Sequence, residues 1–183
     1  MEQKIETAVF GGGCFWCTEA VFGSLKGIVS AVPGYAGGHM EDPSYEEVST
    51  GETGHAEVTQ LEFDPGQVMF KDLLTVFFAT HDPTTLNRQG NDVGSQYRSV
   101  ILYTTDAQRA QAEEYISALQ GSFNDPIVTE IRPFEVFYKA EDYHQRYYEN
   151  HKDMPYCRAI IDPKLEKLQK QFAELLQSHK KEL

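Results

Sequence analysis

No apolar run in this 183-residue chain approaches the length of a helix that crosses a bilayer. Basic residues are scarce as well: 16 Lys and Arg stand against 28 Asp and Glu, a formal charge of −12, with a pI near 4.9. Such a surface repels nucleic acid and anionic membranes, so neither is expected as a partner. Cysteine is rare too. The three present are an odd number, and two of them, Cys14 and Cys17, form a C-x-x-C; in a reducing compartment that pattern points to redox work or metal and not to a disulfide framework. Internal repeats, low-complexity tracts, a second paired-ligand motif and the glycine fingerprint of a dinucleotide fold are all missing. Met1-Glu2-Gln3-Lys4 lacks the basic and apolar regions of a secretory signal, and a cytoplasmic home is expected.

What is present suits one globular domain with a sizeable core, since 40% of residues are hydrophobic and 12% aromatic. The chain is organised around Gly11-Gly12-Gly13-Cys14-Phe15-Trp16-Cys17-Thr18-Glu19. Lys4 to Phe10 reads as a short strand, while Cys17, Ala20, Val21 and Leu25 recur at helical spacing. Cys14 therefore lies where a strand hands over to a helix. Unpartnered N–H groups and the positive end of the helix dipole favour a thiolate there, so the Cys14 pKa is expected to fall and Cys14 is the candidate nucleophile. The bland alternative is a small buried hydrophobe.

Further along, Ile28 to Val32 reads as a strand ended by Pro33-Gly34. Ser44-Tyr45-Glu46-Glu47 has the form of a capping box and starts a short helix with Tyr45 on its first turn. His55 to Phe63 alternates as a strand, and counting by two puts Glu57 on the face of Leu61 and Phe63. An inward carboxyl there is desolvated, with a raised pKa; a solvated strand end is the alternative. Phe70, Leu73, Leu74, Phe77 and Phe78 form a core stripe on a helix. The polar loop from His81 to Ser95, which holds Asp92, is anchored at both ends and feeds a strand from Tyr97 to Tyr103. Thr105-Asp106 caps a helix through about Leu119, Ile127 to Ile131 is a strand, and Phe134 to Tyr138 is another or its continuation. Ala140 to about Asn150 reads as helical, Met154 to Arg158 as a loop carrying Cys157, and Asp162-Pro163 as the start of a final amphipathic helix ending in a solvated tail at Lys180-Lys181. Residues 1–162 are expected to form the catalytic domain, with 163–183 an amphipathic helix packed on or trailing from it. Strands and helices interleave without regular alternation, so the fold class is α+β, a single-domain sandwich.

Gly13-Cys14-Phe15-Trp16 resembles the signature of the A-type peptide methionine sulfoxide reductases. So do Gly34-Tyr35-Ala36-Gly37-Gly38, Pro43-Ser44-Tyr45, Thr53-Gly54-His55-Ala56-Glu57, His81-Asp82-Pro83 and the run from Gly90 to Ser99. The resemblance spans Phe10 to about Pro163 and implies a central mixed β-sheet packed with helices and long loops. It implies that Cys14 is the nucleophile and that Phe15 and Trp16 form the apolar wall receiving the substrate methyl group. Tyr45, Glu57 and Tyr97 would bind and protonate the sulfoxide oxygen, and Asp92 would support the site. It further implies reduction of the S epimer of methionine sulfoxide, free or in proteins, with no bound cofactor and with thioredoxin or another dithiol as the external reductant.

The chemistry accounts for that set. Oxide is a poor leaving group, so a sulfur nucleophile needs an acid to protonate the oxygen. The resulting sulfenic acid condenses with a nearby thiol. Cys17, three residues along the same helix, and Cys157 are both candidates; an intact helix must strain to close the first bridge, and sequence gives no distance for the second. Three other readings stand beside this one: a zinc module using Cys14, Cys17, Cys157 and a histidine, a Cys-His hydrolase drawing on His39, His55, His81, His144 or His151, and a general disulfide reductase that requires neither Glu57 nor the tyrosines.

Overall fold

The computed structural model describes residues 4–178; Met1-Glu2-Gln3 and Lys180-Lys181 lie outside the described residues. In chain order the first half gives β1 (Glu6–Gly11), α1 (Phe15–Gly23), β2 (Ile28–Ala36), α2 (Tyr45–Ser49), β3 (Ala56–Phe63) and α3 (Phe70–Ala79). A two-residue hairpin, β4 (Arg88–Gln89) and β5 (Asp92–Val93), follows, then β6 (Val100–Tyr103), α4 (Asp106–Leu119), β7 (Glu130–Pro133), β8 (Phe137–Lys139), α5 (Tyr147–Asn150) and α6 (Asp162–Gln171). Six strands make one sheet in the order β7-β6-β1-β3-β2-β8. Every pairing is antiparallel except β6 with β7, so the sheet is mixed and the fold is α+β. Among the described residues no helix is long and apolar enough to cross a membrane.

Alternation in β1 divides the interior into two layers. Ala8 and Phe10 join Leu61 and Phe63 of β3 in the main core, which α1, α3, α4 and α6 cover with Phe22, Leu73, Phe77, Ala112 and Leu168. Phe10 is its centre, with the rings of Phe22 and Phe77 each 5.0 Å away. Val9 points the other way, to Val58, Val100 and Leu102, under Phe134 and Phe137. Burying one such side chain contributes about 1.5–3 kcal/mol, so the two layers fix the register that brings the end of β1 beside β3. The last helix belongs to the same body: Leu168 is buried in the main core with Leu165, Phe172 and Leu175 packed beside it, and Lys26 N–H bonds to Leu175 O at 2.8 Å.

Four sequence expectations need correction. β2 does not stop at Pro33 but runs on to Ala36, paired with β3 throughout. The Pro33 carbonyl accepts from Ala140 N–H at 3.0 Å. The N–H that Pro33 lacks would have met the Ala140 carbonyl, just past the end of β8, and that carbonyl accepts instead from Gln145 Nε2 at 2.9 Å. Ile127 to Ile131 is a strand only from Glu130, because Val128 N–H bonds instead to Pro83 O at 2.8 Å. Tyr97 ends a 3₁₀ turn, Ser95–Tyr97, and β6 begins at Val100. The segment from Ala140 to Asn150 is two short turns, Asp142–His144 and α5, broken at Arg146 with φ +53°.

Gly34 allows the continuation of β2. A Cβ there would fall 2.3 Å from Phe137 Cζ and 2.5 Å from Tyr138 O, so a side chain forces β8 away from β2. Gly34→Ala is expected to destabilise the fold by about 1–3 kcal/mol, the usual effect of overpacking. Gly121→Ala, whose Cβ meets nothing within 4 Å, serves as the control. Thermal melts of the two variants check this.

Candidate active site

The site begins where β1 leaves the sheet. Gly13 has φ +96°, which side chains rarely adopt, and a Cβ there would lie 2.7 Å from Gln89 Cγ. Glycine thus provides both the turn and the room for the β4–β5 hairpin. Cys14 follows as the residue before α1, in extended conformation (φ −61°, ψ 129°). It is half-buried with a free thiol, and its carbonyl accepts from Cys17 N–H at 3.1 Å.

β3 lies against this turn and carries Glu57, only 3% exposed. Its Oε2 accepts from Phe15 N–H at 3.1 Å, one of the donors at the start of α1 that the helix leaves unpaired. Burial pushes the Glu57 carboxyl up to about 8, against the pull of the Phe15 N–H and with a further push from Asp92. Near neutral pH it is a protonated acid. The structure places Glu57 inward and decides against the solvated strand end.

Cys14 differs from expectation. Its pKa is raised well above the usual thiol value, first by burial, then by Glu57, then by Cys17; the Trp16 N–H and the Tyr156 side chain oppose this. The helix start is present, but desolvation outweighs its donors, because removing a thiolate from water costs more than two polar contacts recover.

Tyr45, the first residue of α2, and Tyr97, the last of its 3₁₀ turn, reach the same place. Ser44 and Glu47 close the capping box that starts α2, and Glu141 Oε2 accepts from Tyr45 N–H at 3.1 Å. Tyr97 is set by its 3₁₀ turn and by Arg98, which donates to Ser95 O and Gly54 O, each at 2.9 Å. Both phenols are pushed up, first by burial and next by Glu57, with Cys14 and Asp92 contributing to each. The carboxyl, the two phenols and the sulfur therefore share one electrostatic neighbourhood. Asp92, on β5, accepts from Tyr156 O–H at 3.3 Å. With its proton given to Asp92, the Tyr156 oxygen accepts from Cys17 Sγ, 3.5 Å away.

Phe15 is buried against Tyr35 and Val48. Trp16 is held on three sides: its Nε1–H donates to His144 Nδ1 at 3.0 Å, its face stacks on Tyr147 at 3.6 Å and 5°, and Tyr156 meets it edge-on at 5.7 Å. Burial keeps His144 neutral, and an accepting Nδ1 puts its proton on Nε2, which is buried without a partner. Sequence reasoning gave Tyr147 and Tyr156 no role, and His144 only a place among the histidines of the alternative hydrolase reading. The aromatic density from Tyr143 to Tyr156 was their only sequence signal.

Cys157 is not in a loop. It is fully buried in a π-helical turn, Cys157–Ile161, that runs into α6, in one cluster with Cys17 and Ile161. Burial raises both thiols. Among the described residues no three His, Cys, Asp or Glu side chains gather in a way that could hold a metal ion.

Comparisons with known proteins converge on one family. The family model described as peptide methionine sulfoxide reductase matches residues 6–176. The chain is 56% identical to the peptide methionine sulfoxide reductase MsrA of Sulfolobus acidocaldarius over 170 residues, covering 93% of this chain and 97% of that one. Among solved structures, Mxr1 from Saccharomyces cerevisiae in reduced form is similar with a TM-score of 0.80 and 34% identity, covering 84% of this chain and 90% of the other. Mxr1 in complex with Trx2 is similar with a TM-score of 0.57 and 26% identity over 80% and 87%.

Because the Glu57 anion is one of the charges that keep Cys14 protonated, Glu57→Gln is expected to lower the Cys14 pKa. Alkylation of Cys14 by iodoacetamide, followed by mass spectrometry across an alkaline pH series, should show a midpoint displaced to lower pH, as expected for removing a like charge at close range. An unmoved midpoint means the two groups are not coupled.

Proposed function

The chain belongs to the peptide methionine sulfoxide reductase family, and on that premise we propose that the pocket around Cys14 reduces methionine S-sulfoxide, free or within a polypeptide, to methionine, and so repairs oxidised protein. The observation that carries this reading is the 3.1 Å bond from Phe15 N–H to the buried carboxyl of Glu57. It ties an acid that is protonated near neutral pH to the turn that bears the nucleophile.

The sulfoxide methyl group lies against Phe15 and Trp16, and its oxygen faces Glu57, Tyr45 and Tyr97. That division selects one epimer. Glu57 gives its proton to the oxygen while the two phenols donate to it, so charge developing on oxygen meets fixed donors. Cys14 supplies the electron pair that displaces the S–O bond, and the oxygen passes to Cys14. The substrate sulfur is reduced by two electrons, Cys14 is oxidised to the sulfenic acid, and the Cys14 thiol proton replaces the one that Glu57 gave. The raised Cys14 pKa fits this order, since protonating the oxygen lets the thiol lose its proton inside the site with no free anion in the resting pocket. Asp92 acts through Tyr156, orienting the phenol toward the thiols.

Cys17 reacts next. The Cys17 thiol contributes to raising Cys14 and is itself raised in part by Cys157, so it stands between them. Its thiol condenses with the sulfenic acid, releasing water and forming a disulfide. Cys157 then attacks Cys17, which frees Cys14 as a thiol and leaves a Cys17–Cys157 disulfide for thioredoxin to reduce. Residues 4–162 carry the whole site, and 163–178 continue the same domain. The three free thiols support a reducing, cytoplasmic compartment.

Cys14→Ser is expected to abolish sulfoxide reduction with an unchanged melting profile; appreciable turnover by that variant would reject Cys14 as the nucleophile. For the later steps, mass mapping after one turnover should find the Cys14–Cys17 disulfide accumulating in Cys157→Ser. In Cys17→Ser the sulfenic acid should persist. Rapid formation of a Cys14–Cys157 disulfide in Cys17→Ser would remove Cys17 from the relay.

A further inference from the structure

Glu19 follows Trp16 by three residues on α1, so the two side chains share a helix face. Glu19 is only 7% exposed, a place where carboxylates are seldom found without partners. Its Oε2 accepts from Arg146 N–H at 3.0 Å, and Tyr147 N–H bonds to the same carboxylate. Arg146 is the residue at φ +53° that breaks the 140–150 segment. The ring of Tyr147 lies flat on Trp16 on one side and on His151, 4.1 Å away, on the other. One face of α1 therefore holds Tyr147 twice, by its backbone through Glu19 and by its ring through Trp16.

We propose that Glu19 is a positioning residue for substrate recognition. By fixing the backbone at 146–147 it fixes the Tyr147 ring, and the ring sets the tilt of the Trp16 face offered to the methyl group of the sulfoxide. The proposal rests on the reading of Trp16 as the methyl-receiving wall. Space-filling does not account for a carboxylate here. Burial raises Glu19 to about 7, so its ionisation destabilises the folded state as pH rises from the unfolded value through 7; an apolar side chain would fill the volume without that penalty. The exposed ion pair of Arg146 with Glu149 does not replace it, because it engages the guanidinium and leaves the two N–H groups unpaired. His144 holds only the indole N–H, so losing Glu19 frees the ring face while its edge stays bound.

Trp16 is the single tryptophan of the chain, and its fluorescence reads this geometry without substrate. Glu19→Ala is expected to shift Trp16 emission to longer wavelength and increase its quenching by acrylamide. It should also raise KM for methionine sulfoxide by about 2–10-fold, the value of one aromatic contact, with kcat nearly unchanged under a dithiol reductant. Glu19→Gln, which keeps one acceptor, should recover most of both. In a Tyr147→Leu background neither Glu19 substitution should add anything. Where Glu19→Ala does not fold, the smaller Glu19→Gln effect and its disappearance in Tyr147→Leu give the same test. Unmoved emission in Glu19→Ala, or an effect undiminished in Tyr147→Leu, overturns the proposal. An emission shift with KM unmoved would instead overturn the reading of Trp16 as the substrate wall and leave the hold of Glu19 on the ring intact.

Discussion

The bond from Phe15 N–H to Glu57 joins the strand that carries the acid to the helix start beside the sulfur, and it does so inside a space that water barely enters. Low polarity there acts on both groups in the same direction. It holds the carboxyl protonated up to about pH 8 and holds the thiol neutral, and each anion would raise the pKa of the other. Two acids so placed titrate as a pair. At rest the pocket carries no net charge between them, and in the proposed reaction a proton given to substrate oxygen by one is replaced from the other. A thiolate formed in advance would work against this, since it would meet the polarised oxygen of the substrate and the rising charge on Glu57 together.

The sheet exists in a form that serves this bond. Phe10 anchors β1 in the core, the β1–β3 register pairs Phe10 with Thr59, and the turn that follows β1 comes alongside Glu57. The apolar side of the pocket is supported differently. Phe15 is packed into the body, whereas Trp16 stands at the margin and depends on neighbours: one hydrogen bond from its edge, one stacked ring on its face and one ring against its side. All three come from residues 144–156, a region with little regular structure of its own. That segment is held in turn by carboxylates, with Glu19 on the backbone of 146–147 and Glu141 tying Tyr35 and Tyr45.

Local signals in the sequence reached the parts of this arrangement that local physics decides. The capping box at Ser44, the Thr105 cap of α4, the apolar stripe of α3 and the inward parity of Glu57 each depend on a few neighbouring residues, and each is found where the spacing puts it. What was not legible depends on distant partners. Pro33 reads as a strand end unless one knows that Gln145 takes the Ala140 carbonyl its missing N–H would have met. Residues 140–150 read as a helix because nothing local announces that Glu19 will take the N–H groups of Arg146 and Tyr147. Tyr156, which touches Asp92 and Cys17, gives no sign of it beyond its place next to Cys157. The Cys14 pKa fails for a related reason. The helix-start rule is local, but desolvation in the folded pocket and the charge of Glu57 are tertiary, and together they are the larger effect.

The placement of Cys14 also changes the argument about its first bridge. Side chains one turn apart on a helix have Cβ atoms roughly 5–6 Å apart, against about 3.5–4.5 Å in a disulfide, and closing that gap within a helix breaks its bonding. Cys14, however, is the residue before α1, with extended φ and ψ, so rotation there can bring its sulfur inward without disturbing any bond that α1 needs beyond its first turn. The strain expected from an intact helix falls instead on the backbone just before the helix. Cys157 has no such freedom, being fully buried within a continuous helical run. A buried inner thiol and an outer one at the helix start suit the proposed relay, in which Cys17, between them, is the sulfur through which oxidation travels from the substrate toward the core.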